Sequence, residues 1–237
     1  MMTFPKIIIA LLGIIIFMHL RYSAVSWSSI SYSFSNLLHI FHIRRKAGNK
    51  INILPTLPLN CEVKIQGKTS LATKLSPVTR SESVFWQVIV IESKGGGKGG
   101  GYTEIIYIDK STEPFEIIDD TGSILVHTPP EILPMCVNSN DSTGEDFDQI
   151  AQKYLDSKGL NTKGFFGFQK SLRIYEQWVS PQEEIYVLGN LRNDGQNRIL
   201  ASFISNPINQ KLLISRSIKV TVLSVLFFCC IIGVFII

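Results

Sequence analysis

The last eighteen residues, VTVLSVLFFCCIIGVFII (Val220–Ile237), carry no charged side chain, and Lys211, Arg216 and Lys219 precede them. As an α-helix rising about 1.5 Å per residue, a run of this length crosses roughly 30 Å of hydrocarbon. It therefore reads as a transmembrane helix. The other end repeats the pattern. FPKIIIALLGIIIFMHL (Phe4–Leu20) is almost continuously apolar, with Lys6 close enough to its start to snorkel to the interface. Residues 4–20 read as a first membrane helix. A cleaved signal peptide is the competing reading, and Ser23-Ala24-Val25-Ser26 is the nearest small-residue cleavage site. These two ends account for a mean hydropathy of +0.21, high for a soluble protein.

Cations flank both stretches on the inner side of the chain: Arg21, Arg44, Arg45 and Lys46 after the first, Lys211, Arg216 and Lys219 before the second. The positive-inside rule then turns the central region toward the cytoplasm and carries both termini to the far face. The expectation is an integral membrane protein with two spans. The bilayer is one expected partner and an unidentified membrane protein the other. The net charge of +4 is mild, and Lys and Arg form no stripe interleaved with aromatic side chains, so nucleic acid is not expected as a partner. No small-molecule substrate or cofactor is indicated.

Between the ends, Ile30, Phe34, Leu37, Leu38 and Phe41 recur at i, i+4, i+7, i+8 and i+11, which is one face of a helix. Serines, Asn36 and His39 take the other side, and the segment closes on Arg44-Arg45-Lys46. Residues 27–46 thus form an amphipathic juxtamembrane helix. It either lies on the membrane surface or packs as a stalk against its own domain.

From Ile51 the period changes from helical to alternating, which opens a domain over residues 51–210. Cys61, Val63 and Ile65 alternate with Glu62, Lys64 and Gln66 in a strand that Gly67 is expected to end. LSPVTR (Leu75–Arg80) is a turn signal, and VFWQVIVIE (Val84–Glu92) is apolar enough for a strand buried on both faces. SKGGGKGGG (Ser93–Gly101) joins it to TEIIYI (Thr103–Ile108). That glycine run lacks the GxxxxGK[ST] pattern, and a strand follows it where a phosphate loop needs a helix, so it reads as a flexible connection.

TEPFEIIDDTGSILVHT (Thr112–Thr128) holds two short apolar runs hinged on Asp-Asp-Thr-Gly. Pro129–Gly144 reads as a loop that contains a glycosylation sequon, Asn140-Asp141-Ser142. Ser142 with Glu145 makes a capping box, and Phe147, Ile150, Ala151, Tyr154 and Leu155 follow as a helical stripe with Gly159 as C-cap. Three further strands are expected over Ser171–Val179, Glu184–Asn190 and Arg198–Ile204, with Asn193-Asp194-Gly195 turning between the last two. The fold class is mainly β within α+β. It is a compact antiparallel barrel or sandwich with one inserted helix, flanked by transmembrane helices.

The hinge carries the one catalytic candidate. Asp120-Thr121-Gly122, with Ile117-Ile118 before it and Val187-Leu188-Gly189 downstream, looks like an aspartic-protease signature. That chemistry needs two aspartates sharing a proton, and one such triplet would have to meet its copy across a homodimer. The simpler reading makes it a hairpin turn, with aspartate bonding to backbone and glycine easing the reversal. No other catalytic residue, cofactor site or metal site is expected. His127 is the one histidine of the central region and lacks a nucleophile elbow, and Cys61, Cys136 and His127 lie on distant loops. The four cysteines form no CxxC pair, which suits a reducing compartment, although pairing of Cys61 with Cys136 stays open. Cys229 and Cys230 read as small apolar fillers, and Trp86 and Trp178 as core.

The order of these pieces resembles the BAM/GIDE ("beside a membrane") domain of the membrane-anchored mitochondrial ubiquitin ligases and their prokaryotic relatives. It rests on VKIQG (Val63–Gly67), LSPVTR with the VFWQV strand, and PFEIIDDTGSILV (Pro114–Val126). LRIYEQWVSPQEEIYVLGNL (Leu172–Leu191) and the closing FISNPINQKLLISRSIK complete it. In those ligases a RING finger follows the second membrane helix. A RING takes eight Cys and His ligands in close pairs. Here the sequence ends at Ile237, and His19, His39, His42, Cys229 and Cys230 sit in or beside the membrane stretches. Autonomous ubiquitin transfer is therefore not expected. Ser83 stands where the family prefers a cysteine. The resemblance implies a membrane-tethered, non-catalytic binding or scaffold module. The alternatives are a ligase-family protein using a RING supplied in trans, or a dimeric aspartic protease.

Overall fold

The computed structural model describes residues 38–71, 74–94, 102–143, 149–163, 170–193 and 195–215. The expected spans over 4–20 and 220–237, most of the 27–46 helix and the glycine run over 95–101 lie outside them. Among the described residues no helix is long and apolar enough to cross a membrane.

The chain begins with helical residues 38–45 (α1) and a 3-10 turn, Ile51–Thr56, followed by β1 (Glu62–Thr69). Two short strands, β2 (Lys74–Leu75) and β3 (Glu82–Ser83), lead to the long pair β4 (Phe85–Lys94) and β5 (Tyr102–Lys110). Next come β6 (Phe115–Asp119), β7 (Gly122–His127), β8 (Met135–Cys136) and β9 (Asn138–Thr143). Helix α2 (Gln149–Ser157) precedes β10 (Ser171–Val179), β11 (Glu184–Asn193) and β12 (Asn197–Ser205). Residues 207–215 are helical again (α3). Residues His39–Asn209 make one compact unit.

The protein is mostly β, built on a closed five-stranded barrel. Its ring runs β11-β1-β6-β7-β12 and closes through β11 and β12. The strands are not all antiparallel, as the sequence suggested. β12 runs parallel to β7, and also to β8 at its far end. Closing so few strands demands sharp bending. The register of β12 against β11 shifts beside Gly189, and the extra residue bends the strand. A Cβ on Gly189 would meet the Leu200 carbonyl oxygen at 2.4 Å. Gly67 does not end β1 but lies within it, where a Cβ would meet the Ile118 carbonyl oxygen at 2.5 Å. Both glycines serve close strand approach.

The second layer is an antiparallel sheet, β5-β4-β10-β9. β4 and β10 pair along their whole length, with Trp86 opposite Trp178. Alternation splits their side chains. Val88, Val90, Leu172 and Ile174 pack under Ala151, Tyr154 and Leu155 of α2, and Trp86 packs at the margin of this cluster. Phe85 and Val179, at the barrel end, join Val63, Ile117, Val126, Val187 and Ile199 in the main core. α2 ends as expected: Gly159 has φ 68°, and the N–H groups of Leu160 and Gly159 bond back to the carbonyls of Leu155 and Asp156. Ser142, expected as the N-cap, lies instead in β9 opposite Ile174.

The segment read as a loop over Pro129–Gly144 contains β8 and β9. Two buried glutamines that face each other across the sheet, Gln87 and Gln177, hold this crossing. Gln87 accepts from the Leu133 N–H at 2.9 Å and donates to its carbonyl at 3.2 Å, while Gln177 donates to the Met135 carbonyl. The chain leaves the domain through Asn206, whose side-chain oxygen accepts the Asn209 N–H at 2.6 Å with Pro207 as first helical residue.

Candidate functional site

The Asp-Asp-Thr-Gly hinge is the two-residue turn of the β6–β7 hairpin, with Asp119 paired to Gly122. The expectation gave Asp120 the shaping role, but Asp119 has it. One carboxylate oxygen of Asp119 accepts the Thr121 N–H and hydroxyl at 2.6 Å and the Gly122 N–H at 3.0 Å. The other accepts the Ile51 N–H at 3.1 Å, and Thr121 in turn accepts the Asn52 N–H. The hairpin is thereby clasped to the start of the 3-10 turn. Burial pushes the Asp119 pKa upward. The Thr121 hydroxyl and the three backbone N–H donors outweigh that and hold it below its ordinary value.

Asp120 points outward. Its side chain is 70% exposed and pairs with Lys50 of the same chain. A proton-sharing dyad needs two carboxylates forced together in a site shielded from water. Here one aspartate is committed to a turn and the other to a surface ion pair.

Around the turn lies an open groove of about 620 Å³, lined by residues that include Lys50, Gln66, Lys68, Asp120, Gln182 and Glu184. Its polar groups largely satisfy one another: Lys50 with Asp120, and Gln66 with Glu184 at 2.6 Å. Such a mixed-charge surface suits polar contacts better than acid–base chemistry.

The other candidates stay apart. Cys61 and Cys136 are both free thiols in this structure. Burial pushes the Cys136 thiol up to about 12, away from reactive thiolate character. His127 stands on β7, its pKa lowered by partial burial and by Arg198. Among the described residues no His, Cys, Asp or Glu cluster could hold a metal ion. Ser83 is fully buried and donates to the Lys74 carbonyl. Asn140 is exposed on β9, an edge of the four-stranded sheet.

Sequence reasoning did not single out the buried carboxylate of Glu176. It accepts the Val78 N–H at 2.9 Å and the Thr79 N–H at 2.7 Å, fixing the loop that LSPVTR marked. The signal was present, because Glu176 is in phase with Leu172 and Ile174 on the buried face of β10. Nor did it single out the open edge at β5. Tyr102, Ile105 and Ile108 are exposed there.

Neither a scan against protein-family models nor a search of curated proteins finds a match to this chain.

Proposed function

We propose that the protein is a membrane-tethered binding or scaffold module, its β domain presented to the cytoplasm by an apolar helix at each end. The observation that carries this reading is where the chain enters and leaves the domain. The ring of His39, at the start, stacks on Phe203, near the end of β12, with centroids 5.1 Å apart. Each crossing point continues in the sequence toward an apolar stretch, so one bilayer can receive both. The resemblance to the BAM/GIDE family points the same way. Holding a partner in the same membrane raises its effective concentration and substitutes for intrinsic affinity.

The edge strand β5 is the natural binding element. Its outer backbone groups face away from the sheet, and Ile105 and Ile108 are exposed, which suits addition of an extended segment. The test compares membrane pulldowns of the full chain with those of a version lacking residues 51–210. A membrane protein should co-purify with the full chain and be lost with the domain. Retention by the anchors alone would defeat the proposal.

A further inference from the structure

Two readings of the juxtamembrane helix, surface-lying or domain-packed, are compatible on different faces of α1. Ile40 and Ile43 are 0% and 1% exposed, so that face is sunk into the domain. On the opposite face Phe41 is 49% exposed. Arg45 shares that face, Arg44 lies at its flank, and both are exposed. The neighbouring polar groups are engaged: His39 stacks on Phe203, and His42 and, just past the helix, Lys46 both reach the Glu62 carboxylate, at 3.0 and 2.8 Å. Among the described residues no carboxylate pairs with Arg44 or Arg45. Where the chain leaves the domain, Ile208 is also exposed, at 70%. This face sets an exposed aromatic beside two exposed arginines on a helix locked to its domain. It matches the chemistry of a headgroup layer, with apolar side chains at the acyl boundary and guanidinium groups on phosphates.

We infer that the Phe41–Arg44–Arg45 face of α1 docks onto an anionic lipid surface, so that the domain is held against the bilayer in one orientation. This rests on the membrane-tethered reading and adds that lipid charge sets the domain's pose. The inner leaflet supplies such charge, and near it each arginine shifts the balance by about fivefold. Replacing both should then lower the ratio of docked to free domain by about 25-fold. A docked domain would offer partners a fixed approach, whereas an undocked one would swing on its anchors.

The test uses the full chain carrying Phe41→Trp, reconstituted into vesicles of phosphatidylcholine alone or with phosphatidylserine, each containing bromine-labelled acyl chains. Emission beyond that of the unsubstituted chain should be quenched more strongly in the phosphatidylserine vesicles. The added Arg44→Glu and Arg45→Glu changes should abolish that difference. High salt should abolish it without any mutation, since screening shortens the reach of the arginines. Flotation with the vesicles, which reports the anchors, should be unchanged throughout. Flotation with equal quenching in both lipid mixtures would overturn the docking and leave the anchoring intact. Failure of the full chain to float would overturn the anchoring, and the docking with it.

Discussion

Glu176→Ala should cost about 3 kcal/mol of folding stability, because it leaves two backbone donors of a buried loop without an acceptor. Glu176 is fully buried and serves both the Val78 and the Thr79 N–H. The loop is otherwise knitted by short-range bonds among Ser76, Thr79 and Ser81, which orient it but do not hold it to the sheet. Val78, which packs in the cluster beneath α2, would lose its fixed position. For a domain of this size the melting temperature should fall by roughly 6–12 °C. Glu176→Gln, which keeps one acceptor oxygen, should lie between the two. Thermal unfolding of the detergent-solubilised protein followed by circular dichroism measures both. A shift under about 2 °C for the alanine variant would mean the loop is held by something else.

The two hinge aspartates should behave oppositely. Asp119→Ala removes the acceptor for four donors and should cost about 2–4 kcal/mol, since hydrogen bonds to a charged group are worth more than neutral ones. Asp120→Asn breaks one exposed ion pair and should cost under about 1 kcal/mol. The pH dependence follows from the depressed pKa of Asp119. Its stabilisation is fully present above the unfolded carboxyl value of about 3.9 and is lost as pH falls through the lower folded value. The full chain should therefore lose stability below about pH 4 by a component that Asp119→Asn lacks. Equal costs for Asp119→Ala and Asp120→Asn would contradict the assignment of the turn to Asp119. Proteolytic activity that disappears with Asp120→Asn would restore the catalytic reading that the geometry disfavours.

Why the sequence spoke for Asp120 and the structure for Asp119 is instructive. The triplet pattern draws attention to Asp120, but the decision depends on which carboxylate faces Ile51, and that contact is made only on folding. β4, β10, β11 and β12 were legible because alternation and β-branched runs report burial directly. β9 was not. NSNDST has no apolar alternation, because an edge strand facing water needs none. The parallel pairing of β12 with β7 was equally hidden, since no local pattern states which distant strands meet. Gly67 looked like a strand end because glycine weakens a strand interior, and the close approach of Ile118 that it permits is made only on folding. The apolar stripe of residues 27–46 was half informative. Its Phe41 faces outward, whereas Ile40 and Ile43, outside the stripe, make the contact with the domain.

The proposed function requires both ends of the β domain to return to the same membrane, with the domain on its cytoplasmic side. Protease protection in sealed vesicles, with a small epitope on each terminus, tests it directly. Protease added from the cytoplasmic side should digest the domain and leave both epitopes on short, protected, membrane-sized fragments. A domain that stays intact until the vesicles are opened, or epitopes that are removed along with it, would contradict the account.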